Sequence, residues 1–189
     1  MDREQFWALI EAARTATGGD CQAQTAQLVA ALRQRPVVEV LDWDHIQDEL
    51  WVESYRRDLW GAAYLINGGC SDDGFDYFRG WLLGQGQAVW QAALAAPDSL
   101  ADHPQVRVHR PYQEPYVYVE CEDILGVAYR AYEALTGQEF TPEVPGRHPW
   151  PGSPDLGEDW DFDDAAEMRA RYPRLWEVCG GDEPSPPSP

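Results

Sequence analysis

Residues 59–82 read LWGAAYLINGGCSDDGFDYFRGWL. From Asp58 to Ile66 the chain is apolar nearly all round apart from its first residue, which suits a helix in the middle of a domain. Asn67-Gly68-Gly69 stops that helix, because glycine supplies the left-handed backbone that helix C-termini favour. Ser71 then stands where an N-cap is needed. Asp72 and Asp73 follow it in a first turn, where carboxylates complement the helix dipole. Phe75, Phe78, Trp81 and Leu82 recur at helical spacing until Gly84 and Gly86 break the pattern. Two helices around a glycine turn set the fold class as mainly α.

Toward the N-terminus the same punctuation repeats. Phe6 to Arg14 places Phe6, Trp7, Leu9, Ile10 and Ala13 at helical spacing, and Gly18-Gly19 stops the run. Asp20 is an N-cap for Cys21–Gln34, whose apolar face is Leu28, Ala31 and Leu32 and which Pro36 ends. A third helix is predicted from Val37 to Arg56, with Val40, Trp43, Leu50 and Tyr55 on its buried side. Toward the C-terminus, Gln87–Ala96 is helical and stops at Pro97. The helical period then lapses. QVRVH (105–109) and PYVYVE (115–120) alternate as strands do, although Pro111 and Pro115 weaken a pairing, so a small irregular or β-hairpin insert is expected at about 105–120. Helical spacing returns over 121–137, with Ile124, Leu125, Ala128, Tyr132 and Leu135 inward and Gly137 as C-cap. The expected organisation is a single helical core domain over 1–140, a Pro/Gly-rich and acidic linker over 141–160, a C-terminal helix over 161–179 broken near Pro173, and a disordered tail over 180–189.

Composition narrows the function classes. Hydrophobic residues make up 44% of the chain, with nine Trp and nine Tyr, which is ample for a packed core and excludes wholesale disorder. Thirty-three acidic residues face fourteen basic ones, a net charge of −19. That field repels phosphate backbones and anionic lipid, so neither nucleic acid nor membrane is expected as a partner, and it favours cations and basic proteins. Every basic residue is Arg. Without Lys there is no Schiff-base lysine, no Walker lysine and no Ser–Lys pair. Cys21, Cys70, Cys121 and Cys179 form no CxxC pair, so no structural zinc is implied. The opening MDREQFWALIEAAR lacks a signal peptide's apolar stretch, and no apolar run approaches the length of a membrane helix. The expected setting is cytoplasmic, with free thiols. GxSxG, HxH and HExxH are absent, and Gly84-Gln85-Gly86 follows a helix instead of a strand, so no cofactor is implied and enzyme status stays open.

Several of these elements together carry a resemblance. Phe6, Trp7 and Ile10 form an FW-x-x-I helix start; LW-x-AAY, GGCSDDGF and FR-x-WL follow within 59–82; Tyr172, Pro173 and Leu175 form a weaker YP-x-L element. The pattern resembles a family of bacterial proteins catalogued only as a domain of unknown function. It covers most of residues 1–136 and touches the last helix, and GGCSDDGF is its most specific part. The resemblance implies the domain and no activity.

Chemistry concentrates at the same turn. Asp76 lies one helical turn after Asp72, and Arg79 three residues beyond Asp76. Cys70, Ser71, Asp72, Asp73, Asp76 and Arg79 could therefore face one cleft, with Tyr55 or Trp60 on its wall. Asp72, Asp73 and Asp76 offer oxygen ligands to Mg²⁺ or Ca²⁺, or one of them could act as a general base. The plainer alternative is a helix cap plus an i,i+3 ion pair. Cys70 near a helix N-terminus could have a lowered pKa or be a small buried thiol; none of His45, His103, His109 and His148 is near it in sequence. Asp102, His103 and His109 form the one His cluster, with His109 and Arg107 on one face of the expected strand. Asp155 to Asp164 holds six carboxylates and no base, suited to docking a basic partner or to a solvated linker. The leading expectation is a non-enzymatic, acidic protein-interaction domain of regulatory or immunity type, binding a partner with a basic surface. The alternative is an enzyme, or a small-molecule or metal-binding sensor, built on the GGCSDDGF turn.

Overall fold

The first helix, α1 (Arg3–Thr17), begins on a reciprocal cap: the Gln5 N–H donates to Asp2 Oδ1 at 2.8 Å and the Asp2 N–H to Gln5 Oε1 at 3.0 Å. A computed structural model gives this arrangement and describes residues 1–109, 118–152, 154–157 and 159–180. Gly18, at φ +66°, ends α1. Asp20 caps α2 (Cys21–Leu32) by accepting the Ala23 N–H at 2.8 Å. Next come α3 (Val37–Ser54), α4 (Arg57–Asn67), α5 (Asp72–Gly84) and α6 (Gln87–Ala95). Then follow a 3₁₀ turn (Pro97–Asp102), the short α7 (Pro104–Val108), a second 3₁₀ turn (Glu122–Gly126) and α8 (Val127–Thr136). The chain closes with α9 (Ala165–Arg171) and α10 (Pro173–Cys179), broken at Pro173 as the sequence predicts. Among the described residues there is no strand, and no helix is long and apolar enough to cross a membrane.

The apolar faces meet in one core. Phe6 and Ile10 of α1, Trp43 of α3, Leu59 and Ile66 of α4, Phe75 and Phe78 of α5 and Trp90 of α6 are all but fully buried. Each contributes roughly 1.5–3 kcal/mol of burial. The rings of Phe6 and Trp43 stand 4.1 Å apart, fixing α1 against α3.

Three expectations change. QVRVH is not a strand. Pro104 opens a helical turn, which buries Val106 and leaves Val108 76% exposed, so its alternation came from a single short turn; His109 is buried just past its end. The rest of the expected insert, 110–117, lies outside the described residues, as does the tail at 181–189. Leu135, expected inward, sits on the outer side of α8 at 36% exposure. The thiols are not all free: Cys21 and Cys121 form a disulfide, with Cα atoms 5.6 Å apart, and Cys70 and Cys179 are the free cysteines. A separation of 100 residues hides such a pair in sequence. Closing a loop of that length is worth about 4.7 kcal/mol on the chain-entropy account.

The disulfide sits where the returning chain is stitched to α4 and α5. The Val119 N–H donates to Asn67 Oδ1 at 2.8 Å, and the Cys121 N–H to the Tyr77 carbonyl at 2.8 Å. Gly80 permits the approach, because a Cβ there would stand 2.3 Å from the Cys121 carbonyl oxygen. Beyond α8, the described residues between 140 and 164 run back over the helices. Phe140 and Val144 are buried, and Arg147 Nε bonds Asp44 at 2.8 Å while stacking on Phe140. The Tyr172 hydroxyl donates to the Asp58 carbonyl at 2.7 Å and anchors the α9–α10 corner on α4.

Thiol titration of the unfolded, unreduced chain should count two reactive thiols, and dithiothreitol should lower the melting temperature; four thiols in protein purified without reductant would remove the Cys21–Cys121 bond. Gly80→Ala should cost about 1–3 kcal/mol in denaturant unfolding, through overpacking against the Cys121 backbone. An unchanged midpoint would mean the two segments do not approach as described.

Candidate functional site

Helical periodicity puts two acidic, aromatic-bearing faces opposite each other. On α3, Asp48, Trp51 and Val52 share one side, and Tyr55 continues it just past the helix end. On α5, Asp72, Asp76 and Arg79 follow at i, i+4 and i+7. Between them lies a cleft of about 420 Å³, also lined by Gln47, Leu125, Trp150 and Pro154. The Gln47 side-chain amide donates to the Leu125 carbonyl at 3.3 Å, joining α3 to the second 3₁₀ turn at this wall.

Arg79 forms the base of the site. Its side chain is only 2% exposed. Nη1 donates to the Trp51 carbonyl at 2.8 Å and reaches Ser54 Oγ at 3.4 Å, and Nη2 pairs with Asp76. The guanidinium lies 4.5 Å from the Trp51 ring centre, 4.8 Å from Phe75 and 5.2 Å from Tyr55. Burial pulls its pKa down and Asp76 opposes the shift. Nε is buried without an acceptor among the described residues.

The remaining carboxylates differ in their obligations. Asp76 belongs to Arg79. Asp48 and Asp72 make no hydrogen bond or ion pair among the described residues. Burial, reinforced by the Asp44 charge and opposed by Arg147, pushes the Asp48 carboxyl up to about 6. Asp72 is exposed at the mouth.

The other sequence candidates fall elsewhere. Ser71 is the N-cap of α5, its Oγ accepting the Gly74 N–H at 3.1 Å. Cys70 is half-buried; burial first, then Glu120, Asp72 and Asp76, push its thiol up to about 12, so the reactive-thiolate reading has no support here. Trp60 donates its indole N–H to the Cys70 carbonyl at 3.0 Å and stacks on Phe75 at 4.8 Å, outside the cleft lining. Asp73 also lies outside it, its charge reaching Tyr77. Among the described residues, no group of three or more His, Cys, Asp or Glu side chains is placed to hold a metal ion. The expected His cluster is dispersed: Asp102 pairs with Arg174, His103 packs edge-on against Trp81 at 5.0 Å, where burial lowers its pKa, and His109 is buried.

Structure thus joins Tyr55, Asp72, Asp76 and Arg79, and adds Trp51 together with Asp48 and Trp150, the last two of which the sequence reading passed over. Asp48, Trp51 and Tyr55 do carry a signal, their i, i+3, i+7 spacing on one helix. Trp150, 51% exposed in an irregular segment, carries none. Its neighbour His148 stacks on His45 at 3.9 Å and, with the Arg147–Asp44 pair, holds this segment on α3.

Residues 1–134 match the family model described as a protein of unknown function, DUF4240. No curated protein and no solved structure matches the chain. The cleft residues from Gln47 to Leu125 lie inside the matched span; Trp150 and Pro154 lie beyond it.

The raised pKa of Asp48 has a sign. In the unfolded chain this carboxyl titrates near 3.8 and in the fold at about 6, so the native state holds the proton more tightly. Its contribution to stability falls as pH rises through that window, and the full cost is present above it. Asp48→Asn should therefore raise the melting temperature at pH 8 and leave it nearly unchanged at pH 3.5. Equal melting temperatures at pH 8 would show that Asp48 is not held in a desolvated position.

Proposed function

The chain belongs to the DUF4240 family of proteins of unknown function, and on that footing we propose that it is a non-enzymatic interaction domain that docks a partner protein with a basic surface. The observation that carries this reading is the pairing state of the cleft: among the described residues Asp48 and Asp72 face a concave, aromatic-walled surface without a hydrogen bond or ion pair, while Arg79 is buried and engaged by Asp76. Net charge of −19 adds long-range steering toward a basic surface. The Asp155–Asp164 stretch works in the same sense, with Asp155, Asp159, Asp161 and Asp164 exposed.

A cytoplasmic setting belongs to this reading, and the Cys21–Cys121 pair bears on it. A reducing cytosol keeps such cysteines as thiols, whereas oxidising compartments keep the bond. A second reading, a small-molecule sensor, draws on the cleft volume of about 420 Å³, within the usual range for ligand pockets of roughly 300–1,000 Å³.

The test is capture of partners from the source organism's lysate on immobilised protein at low and raised salt, with an Asp48→Asn/Asp72→Asn variant whose melting curve confirms folding. A bound protein that raised salt releases and the variant fails to hold is the expected result. Retention that ignores both salt and the two carboxylates would overturn the proposal. Absence of any bound protein, with stabilisation by small organic cations instead, would replace it with the sensor reading.

A further inference from the structure

We propose that the cleft is an arginine-recognition site, receiving the guanidinium of one arginine residue of the partner between the Asp48 and Asp72 carboxylates and against the ring of Trp150. This rests on the interaction reading above and names what that surface recognises.

The argument starts from how the molecule houses its own arginines. Arg147 bonds Asp44 at 2.8 Å and lies 4.3 Å from the Phe140 ring centre. Arg57 pairs with Asp159 and lies 4.3 Å from Phe162. Arg171 bonds Glu167 at 2.7 Å and lies 3.9 Å from Trp160. Arg79 pairs with Asp76 inside three rings. Four times, one carboxylate takes the N–H edge and an aromatic face takes the plane. That division suits a guanidinium, which is flat, weakly hydrated and polar at its edge. The cleft offers the same two parts to a further cation: carboxylates from two helices that make no ion pair among the described residues, and an exposed indole beside them.

A second observation comes from the wall. Arg79 is 98% buried, yet its Nε has no acceptor among the described residues, and the residue lines the cleft. That Nε is closed to solvent, so Arg79 stays as a fixed floor and a ligand's contacts fall to Asp48, Asp72 and Trp150. A bare metal ion takes oxygen ligands and has no use for the flat indole face beside them. A lysine ammonium is a compact, strongly hydrated charge that gains less from the ring faces.

The probe is an acetylated, amidated pentapeptide, neutral except for one central arginine, titrated at low salt into the full chain and followed by NMR at the indole N–H signals. The controls are the same peptide with lysine, free guanidinium ion, and the variants Asp48→Asn/Asp72→Asn and Trp150→Ala. Trp150 is exposed, so its removal leaves the core intact. Saturable binding of the arginine peptide is expected, weakened about tenfold in the double carboxylate variant. The lysine peptide and Trp150→Ala should each show a loss of about fivefold. No saturable binding in the millimolar range, equal binding by the double variant, or equal affinity for the lysine peptide would overturn the proposal. Guanidinium ion binding as tightly as the peptide would also overturn it, pointing to a small-cation site. If the peptide fails while capture of a lysate protein still depends on Asp48 and Asp72, the interaction reading stands and the arginine assignment alone falls.

Discussion

A buried guanidinium organises the centre of this molecule. Arg79 leaves α5, crosses under the cleft and binds the Trp51 carbonyl near the end of α3. Taking a cation out of water is expensive unless it is paired and hydrogen-bonded, and here every compensation comes from a defined place. Asp76 comes from the preceding turn of the same helix, Ser54 and the Trp51 carbonyl from α3, and the three ring faces from both helices. The spacing of α3 and α5 is thereby set by a polar contact inside an otherwise apolar core. The cleft follows from that spacing. Asp48 and Asp72 face the same space because the helices that carry them are held at Arg79.

The second constraint is on the other side of α5. Gly80 admits the backbone of residue 121, and the Cys21–Cys121 bond fixes that crossing to the start of α2. Leu125, four residues beyond Cys121, forms a wall of the cleft. A covalent tie and a glycine contact therefore hold this wall of the cleft.

Much of this was legible in the chain and some was not, for physical reasons. Helices punctuated by Gly18, Gly68 and Gly137 were readable, because left-handed caps leave a residue signature. Asp72, Asp76 and Arg79 were readable as neighbours, because helical spacing is local information. Asp48 was missed since a single Asp in an amphipathic helix resembles any solvated residue; its desolvation arises from packing against segments distant in sequence. QVRVH misled because five residues cannot distinguish one short helical turn from a strand. The Cys21–Cys121 bond, closed across 100 residues, depends wholly on the tertiary path.

Trp150 and Pro154 come from outside the stretch that matches the family, whereas the charges and the buried arginine come from inside it. Labour is divided accordingly. The helical body places the carboxylates, and a surface segment clipped on by Arg147 and His148 shapes the entrance. Such segments accept insertions and exchanges that a core would not tolerate. Exchange of a few residues after Gly146 would therefore reshape the entrance while the core, the buried Arg79 and the carboxylates of the two helices are inherited unchanged.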